Sequence, residues 1–199
     1  LGPTTASALV ADAAPYKDVP TNHTFAGYIA YCQKEGIISG YADGTFRPAN
    51  TLTGYAFMKM LLGALGYDAE VEQYTGANWS INVAKRALNI GLDDDLVGDF
   101  NGIKAVNREE ACLYALNTLT ADMVEYDAKT TVSTNGTTVV IAGSKAKEMV
   151  NNGNTDGKVF DKDGVMQFAE KYFDNLTVKT GSDDFSRPAN VWKLKAEEI

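Results

Sequence analysis

The chain has 199 residues, enough for one large domain or two smaller ones with an ordinary buried core. With 45% hydrophobic and 22% charged residues it has the composition of a folded protein. Its formal net charge of −8 offers no basic surface for nucleic acid or anionic membranes, and no run of about 18 apolar residues could span a bilayer. Partners of those two classes, nucleic acid and membrane, are therefore not expected.

Residues 1–14 lack the basic segment and the unbroken apolar stretch of a signal peptide. They are interpreted as the end of a helix and a linker of small residues, as expected for the tail of a preceding repeat. Residues 15–70 (the first copy) and 71–120 (the second copy) form an internal repeat, in which Gly36 aligns with Gly91 and Gly54 with Arg108. Because single helix pairs cannot bury their own apolar faces, an earlier repeat is expected to have been cut away.

Each copy is predicted to contain a helix, a glycine stop, a loop and a second helix. In the first copy, apolar residues at i, i+3, i+4 and i+7 mark one face of the first helix, and Gly36 ends it as a C′ glycine. Thr53 is predicted to cap the second helix. The apolar residues of the first helix are Phe25, Tyr28, Ile29 and Cys32, and those of the second are Met58, Leu61 and Leu62.

The loop of the first copy, "YADGTFRPAN" (residues 41–50), is predicted to be a corner between its two helices. Asp43 and Gly44 make the turn, Phe46 can fill the space between the helices, and Pro48 prevents helix continuation. The same "RPAN" at residues 187–190 lacks the flanking helices and glycines, so it does not mark another repeat.

The second copy repeats these signals. Gly91 again ends the first helix, and Asn107 with Glu110 predicts a capping box at the start of the second. The apolar residues are Val83, Ala84, Ala87 and Leu88 in the first helix, and Leu116 and Leu119 in the second.

Residues 121–199 are predicted to form a small α+β segment. The β-branched run around Asn135-Gly136 indicates a β-hairpin. Residues 144–150 and 164–173 are predicted to be short helices, the latter with Val165, Phe168, Ala169 and Tyr172 on one face. The end is predicted to be a loop and a strand, with Trp192 packed.

Three features limit the possible chemistry. Residues 152–163 follow the calcium-loop template, but Asn152 opens it and Asp163 closes it, so a plain connecting loop is expected and calcium is the alternative. The acidic loops do not fix two carboxylates across a cleft, so no catalytic residue is predicted. His23 is the only histidine, which excludes a metal site of several histidines, and Cys32 and Cys112 are expected to be small buried residues, with a disulfide as the alternative.

The first copy resembles an S-layer homology repeat. The resemblance rests on Tyr16 and Asp18 before the first helix, on the "G-x-x-x-G-Y-x-D-G-T-F-x-P" loop from Gly36 to Pro48, and on the polar cap of the second helix. The second copy keeps an aromatic residue at Trp79, the glycine stop and the "VNREEA" helix start. The two copies span somewhat over half of the chain.

This resemblance implies a mainly α fold, in which helix-loop-helix repeats form a pseudo-threefold bundle, followed here by the small α+β segment. It implies a non-enzymatic module without cofactors that anchors a protein non-covalently at the cell surface of Gram-positive-type bacteria. The implied partners are secondary cell-wall polysaccharide, often carrying a pyruvyl ketal, and a preceding repeat in cis or in another chain.

The resemblance also implies which residues bind the glycan. Carried over, the family pattern assigns the acidic sugar to Arg108 of the second copy. It adds Asp18, Gly40 and Tyr41 of the first copy and Trp79 of the second. Arginine presents a planar fork of donors to a carboxylate, aromatic rings stack on sugars, and glycine permits close backbone approach.

Both copies depart from the pattern. Gly54 occupies the position of the arginine in the first copy, so that groove is inactive, structural or served by Arg47. Phe25 lies one residue beyond the usual tryptophan position, and the second copy lacks the "DGTF" loop. Alternative roles therefore remain: Arg108 as a solvated first-turn residue, Asp18 as an acceptor in a turn or cap, and Trp79 as a core anchor.

Two alternatives to the anchoring function also remain. The repeats could be architectural, mediating self-assembly of a surface layer without binding glycan, or residues 121–199 could belong to a larger exported enzyme.

Overall fold

The computed structural model describes residues 8–9, 16–127, 130–134, 137–141, 145–151, 164–173, 175–194 and 197–198. The helices of the two copies are α1 (Ala26–Lys34), α2 (Gly54–Ala64), α3 (Trp79–Asn89) and α4 (Arg108–Thr120), and α5 (Phe168–Tyr172) follows near the C-terminus. The strands are β1 (Val124–Glu125), β2 (Thr130–Thr134), β3 (Thr137–Ile141), β4 (Lys147–Glu148), β5 (Leu176–Ser182), β6 (Pro188–Leu194) and β7 (Glu197–Glu198).

The local signals for helix ends are confirmed. Gly36 and Gly91 follow their helices with φ of 72° each, the left-handed conformation of a C′ glycine. The Thr53 hydroxyl accepts from the amide of Ala56 at 3.3 Å. Asn107 and Glu110 form the predicted capping box, with both hydrogen bonds at 2.9 Å.

The buried face of α1 differs from the predicted one. Ile29 is buried, but Phe25 precedes the helix and is 59% exposed, while Tyr28 is 37% exposed. Small residues, Ala26 and Ala30, are buried instead, and Ala26 packs in the cluster that contains Val19. The apolar periodicity was therefore read on the wrong side of this helix.

In the other repeat helices the prediction holds in part. Met58 and Leu62 of α2 and Val83 and Ala87 of α3 are fully buried. Leu88 and Leu116, predicted to lie on apolar faces, are 40% and 45% exposed. The cysteines are free, Cys32 half-buried and Cys112 exposed, so neither the disulfide nor the burial of Cys112 is found.

The segment after residue 121 contains more strand than a mainly α fold allows, so the chain is mixed α and β. Strands β2 and β3 form the predicted hairpin, with Thr134 opposite Thr137, although its turn, residues 135–136, lies outside the described residues. Strands β5, β6 and β7 form a three-stranded antiparallel sheet in that order. Trp192 packs beside Ala169 and Leu176, as predicted.

The predicted helix at residues 144–150 is wrong in the part described. Lys147 and Glu148 form β4, paired antiparallel with β1. The amide of Met149 donates to the carbonyl of Met123 at 2.9 Å, and that of Met166 to Met149 at 2.7 Å. Backbone pairing with distant segments overrides the local helical pattern here. The helix predicted at 164–173 is confined to α5.

One apolar core runs through most of the described chain. It joins the second helix of the first copy, both helices of the second copy and the strand segments that follow, with Tyr74, Met58, Leu62, Leu65, Leu92 and Met123 as its largest fully buried side chains. A smaller cluster holds α1 against Tyr16 and Val19. The predicted boundaries at residues 15–70, 71–120 and 121–199 stay predictions, and the predicted tail at 1–14 is described only at residues 8–9. No helix in the described ranges is both long and apolar enough to cross a bilayer.

Candidate functional site

Asp18 holds the loop of the first copy in place. Its Oδ1 accepts the amide of Phe46 at 2.8 Å and its Oδ2 accepts the amide of Arg47 at 2.7 Å. These hydrogen bonds, that of Phe46 foremost, lower the pKa of the Asp18 carboxyl group. Both carboxylate oxygens already serve the loop backbone, which matches the alternative role of a turn acceptor. A role in ligand binding stays a prediction for this residue.

Gly40 allows the loop to approach Tyr16. Its φ is 66°, and a Cβ atom added there would overlap the Tyr16 ring and lie 2.9 Å from the carbonyl oxygen of Thr45. The Tyr16 ring in turn stacks on Phe46 at a centroid distance of 5.3 Å. The close approach expected at Gly40 is thus made by the side chain of Tyr16, within the protein.

Tyr41, next to Gly40, forms an exposed pair with Arg47. The Tyr41 residue is 48% exposed, and the Arg47 guanidinium lies 4.1 Å from its ring centroid. Arg47 also donates to Asp43 Oδ2 at 2.8 Å and to Thr45 Oγ1 at 3.1 Å. This network fixes the Arg47 cation beside the Tyr41 ring and pairs it with the Asp43 carboxylate.

The same network perturbs Asp43. The Thr45 hydroxyl donates to Asp43 Oδ1 at 2.6 Å. This hydrogen bond, followed by that of Arg47, lowers the pKa of the Asp43 carboxyl group to about 2. Arg47 has a φ of 61°, a conformation that no local sequence signal indicated. Its position beside Tyr41 could not be read from the sequence for the same reason.

At the start of α2 the second copy covers the position of the family arginine. The amide of Gly54 donates to the carbonyl of Lys104 at 3.0 Å, and that of Tyr55 to Gly102 at 2.8 Å. A Cβ atom at Gly54 would lie 3.0 Å from both Asn101 O and Gly102 Cα. No longer side chain fits at residue 54 without displacing this loop.

Arg108 lies at the corresponding position of the second copy and is exposed. It is the first residue of α4, at the positive end of the helix dipole. Lys104 adds a second cation nearby, held by Glu110 Oε1 at 3.0 Å. Within the described part of the chain, no hydrogen bond or ion pair engages Arg108, so its guanidinium is available to a ligand.

Trp79 lies against α2. Its half-buried ring meets Tyr55 edge-on at a centroid distance of 6.4 Å, and Lys59 Nζ lies 5.6 Å from its centroid. Burial lowers the pKa of the Lys59 ammonium group. These contacts agree with the alternative role of a packing anchor between the two copies.

The five predicted site residues thus fall into three places. Asp18, Gly40 and Tyr41 share one loop, Trp79 packs on α2, and Arg108 begins α4. Among the described residues no hydrogen bond, ion pair or ring contact joins Arg108 to the other four. Sequence reasoning weighed Arg47 only as a substitute for the missing arginine, and the structure places it against Tyr41, Asp43 and Thr45.

Comparisons with known proteins identify part of the chain. The family model of the S-layer homology domain matches residues 15–54. The middle cell wall protein of Brevibacillus brevis (strain 47 / JCM 6285 / NBRC 100599) is 26% identical over 110 residues, which are 55% of this chain and 10% of that protein. The surface layer protein of Brevibacillus choshinensis is 36% identical over 56 residues, 28% of this chain and 5% of that protein.

The aligned residues thus span a tenth or less of these two relatives. No solved structure significantly matches the chain. The matches indicate a location at the cell surface or in the cell wall. Residues 15–54, with the Asp18-bound loop and the α1 helix, are the part of the chain that matches the S-layer homology domain.

Proposed function

We propose that this chain is a non-enzymatic anchoring module that binds secondary cell-wall polysaccharide, an acidic or pyruvylated glycan, at the outside of the cell. The S-layer homology domain at residues 15–54 and the two cell-surface relatives support anchoring in general. The observation that carries glycan binding is the exposed, unengaged Arg108 at the positive end of α4. An acidic sugar supplies the carboxylate that this guanidinium lacks.

The first copy offers a second, incomplete groove. Gly54 leaves no room for the family arginine, but Arg47 lies on the exposed Tyr41 ring at the other side of the loop. We propose that this pair stacks on a sugar ring while its guanidinium faces an acidic substituent. Asp18 and Gly40 support the pair from within the loop.

The test is a pull-down with purified, acid-rich cell-wall polysaccharide, followed by titration calorimetry. Arg108→Ala removes a charge-assisted hydrogen bond and should weaken binding roughly tenfold. Because the side chain is exposed, the melting temperature should not change. Arg187→Ala is the matched control, since Arg187 is also exposed but is paired with Asp183 in the β5–β6 hairpin. Equal binding by both variants would refute the assignment of Arg108.

A second candidate function is purely architectural. The second copy closes the groove at Gly54, and the exposed side chains of Val97 and Ile103 (96% and 78%) could contact a neighbouring module. This function would be favoured by two results together: self-association of the glycan-free chain in sedimentation velocity, and no binding of glycan in the pull-down. A chain that stays monomeric and binds glycan would exclude it.

The partner repeat is also a proposal. Phe25 and Tyr28 are exposed beside the small cluster that holds α1, and a preceding repeat could cover them. Placing a further S-layer homology repeat before residue 15 should raise the hydrogen-exchange protection of α1. Unchanged protection would mean that α1 has no such neighbour.

A further inference from the structure

The polar face of α3 lines a groove at the protein surface. Asn82, Lys85, Arg86 and Asn89 are spaced i, i+3, i+4 and i+7, so they share one side of the helix. They line a groove of about 330 Å³ together with the turn that carries Glu72 and Tyr74. The opposite side of α3 supplies the core. The groove therefore has the size of a small-molecule site, and its lining combines two cations, several amides and the carboxylate of Glu72.

Arg86 is held in this groove by a fixed network. Its guanidinium donates to Glu72 Oε2 at 3.2 Å and lies 5.2 Å from the ring centroid of Tyr67. Glu72 Oε1 accepts from the Tyr126 hydroxyl at 2.8 Å. Both oxygens of Glu72 are thus engaged, and the guanidinium also donates towards the Tyr74 hydroxyl. With five N–H donors, Arg86 keeps donors for a ligand.

Tyr74 adds a buried donor. The residue is 2% exposed and lines the groove, and its hydroxyl lies beside the Arg86 guanidinium, which can only donate. Burial foremost raises the pKa of this phenol, although Arg86 opposes the shift. The phenol is therefore a protonated donor at neutral pH, and its proton has no acceptor in the described part of the chain. A buried hydroxyl proton without an acceptor is rare and indicates a missing one.

We propose that this groove binds an anionic sugar. Arg86 and Lys85 hold its carboxylate or phosphate group, and Asn82, Asn89 and Tyr74 meet its hydroxyl and ring oxygens. A neutral sugar would offer no negative group to Arg86 and Lys85. A small inorganic anion would be too small to contact the amides of Asn82 and Asn89 as well.

This site is separate from the groove at Arg108. Arg86 lies seven residues, about 10 Å, along α3 from Trp79, in the C-terminal half of the helix. It uses none of the residues carried over from the S-layer homology pattern. The proposal for this groove and the proposal for Arg108 can therefore be tested independently.

The experiment is amide-resolved NMR titration with three probes: methyl β-glucuronide, glucose 6-phosphate and methyl β-glucoside. A charged probe should shift the amides of Asn82, Lys85 and Asn89, and the neutral glucoside should bind much more weakly. A response to the glucuronide alone identifies a carboxylate ligand, and one to the phosphate alone a phosphorylated sugar. No response of these amides to either charged probe overturns the proposal.

Two variants separate binding from folding. Lys85 is exposed, so Lys85→Gln should keep the fold and weaken binding of the charged probe roughly tenfold. Arg86→Lys keeps the charge but loses the planar fork of donors, so it should also weaken binding of the charged probe. Arg108→Ala should leave this titration unchanged. Full affinity in both Lys85→Gln and Arg86→Lys would overturn the proposal, whatever Arg108→Ala does to polysaccharide binding.

Discussion

Replacing Gly40 with alanine should destabilise the first copy much more than replacing Gly36, although the two glycines share one backbone conformation. Their φ values are 66° and 72°. A residue with a Cβ atom loses about 1–2 kcal/mol in this left-handed region. An alanine at Gly36 meets nothing within 4 Å, so that strain is its whole effect.

At Gly40 the surroundings add a second cost. The new Cβ atom would overlap the ring of Tyr16, which is 6% exposed and stacked on Phe46. It would also lie 2.9 Å from Thr45 O, which already accepts the amide of Tyr41 at 2.8 Å. Forced overpacking of this kind costs about 1–3 kcal/mol. The total loss at Gly40 is therefore about 2–5 kcal/mol.

Hydrogen exchange of the Phe46 and Arg47 amides measures this loss, because both amides are protected by Asp18 in the folded loop. Gly36→Ala serves as the control. Equal loss of protection in the two variants would refute the steric reasoning. If Gly40→Ala kept full protection and lost glycan binding, Gly40 would be a ligand contact rather than a support for Tyr16.

Three further predictions concern acid, capping and thiol reactivity. The Asp43 pKa is depressed from 3.8 to about 2, so its stabilisation of the loop is complete above pH 3.8 and is lost as the pH falls towards 2. Asp43→Asn should remove this acid sensitivity in urea unfolding, and an unchanged pH profile would contradict it. Asn107→Ala should lower the free energy of unfolding by about 1 kcal/mol, because it removes the cap of α4, and a neutral effect would contradict the capping role. Exposed Cys112 should react with Ellman's reagent before half-buried Cys32, whose pKa is raised mainly by burial, and equal rates would refute this order.

The helix ends could be predicted because their causes lie within a few residues of chain. A C′ glycine such as Gly36 needs only its own backbone conformation, and the capping box of Asn107 and Glu110 closes within one turn. These signals depend little on tertiary packing. Together with the loop pattern from Gly36 to Pro48, they led to the prediction of two copies and to the resemblance of the first copy to an S-layer homology repeat.

The errors arose where distant segments decide the structure. Lys147 and Glu148 became a strand because residues near 123 and 166 supply backbone partners on both sides, which no local periodicity can indicate. On α1, aromatic residues suggested the buried face, but Ala26 and Ala30 are buried, Ala26 in the cluster that contains Val19, where a close approach favours a small side chain.

Prediction of the site shows the same limit. Asp18 could be interpreted from the sequence either as a ligand-binding residue or as a turn acceptor. Its two amide partners lie 28 and 29 positions away in sequence, so no local pattern indicated its role in the loop. Arg86 was not considered, because its partner Glu72 is 14 positions away, in a turn that carried no recognised motif.

The two departures from the family pattern have one steric cause. The first copy lacks the arginine at Gly54, and the second copy lacks the "DGTF" loop and has residues 93–102 instead. In the structure this replacement loop lies on the start of α2, where Gly102 fits beneath the Tyr55 ring and Asn101 closes on Gly54. An arginine at 54 would need the space that the loop occupies, and any side chain at 102 would overlap Tyr55. The two changes are therefore compatible with each other and incompatible with the original groove. We therefore expect glycan recognition in this chain to depend on arginines other than one at residue 54, namely Arg47 and Arg108.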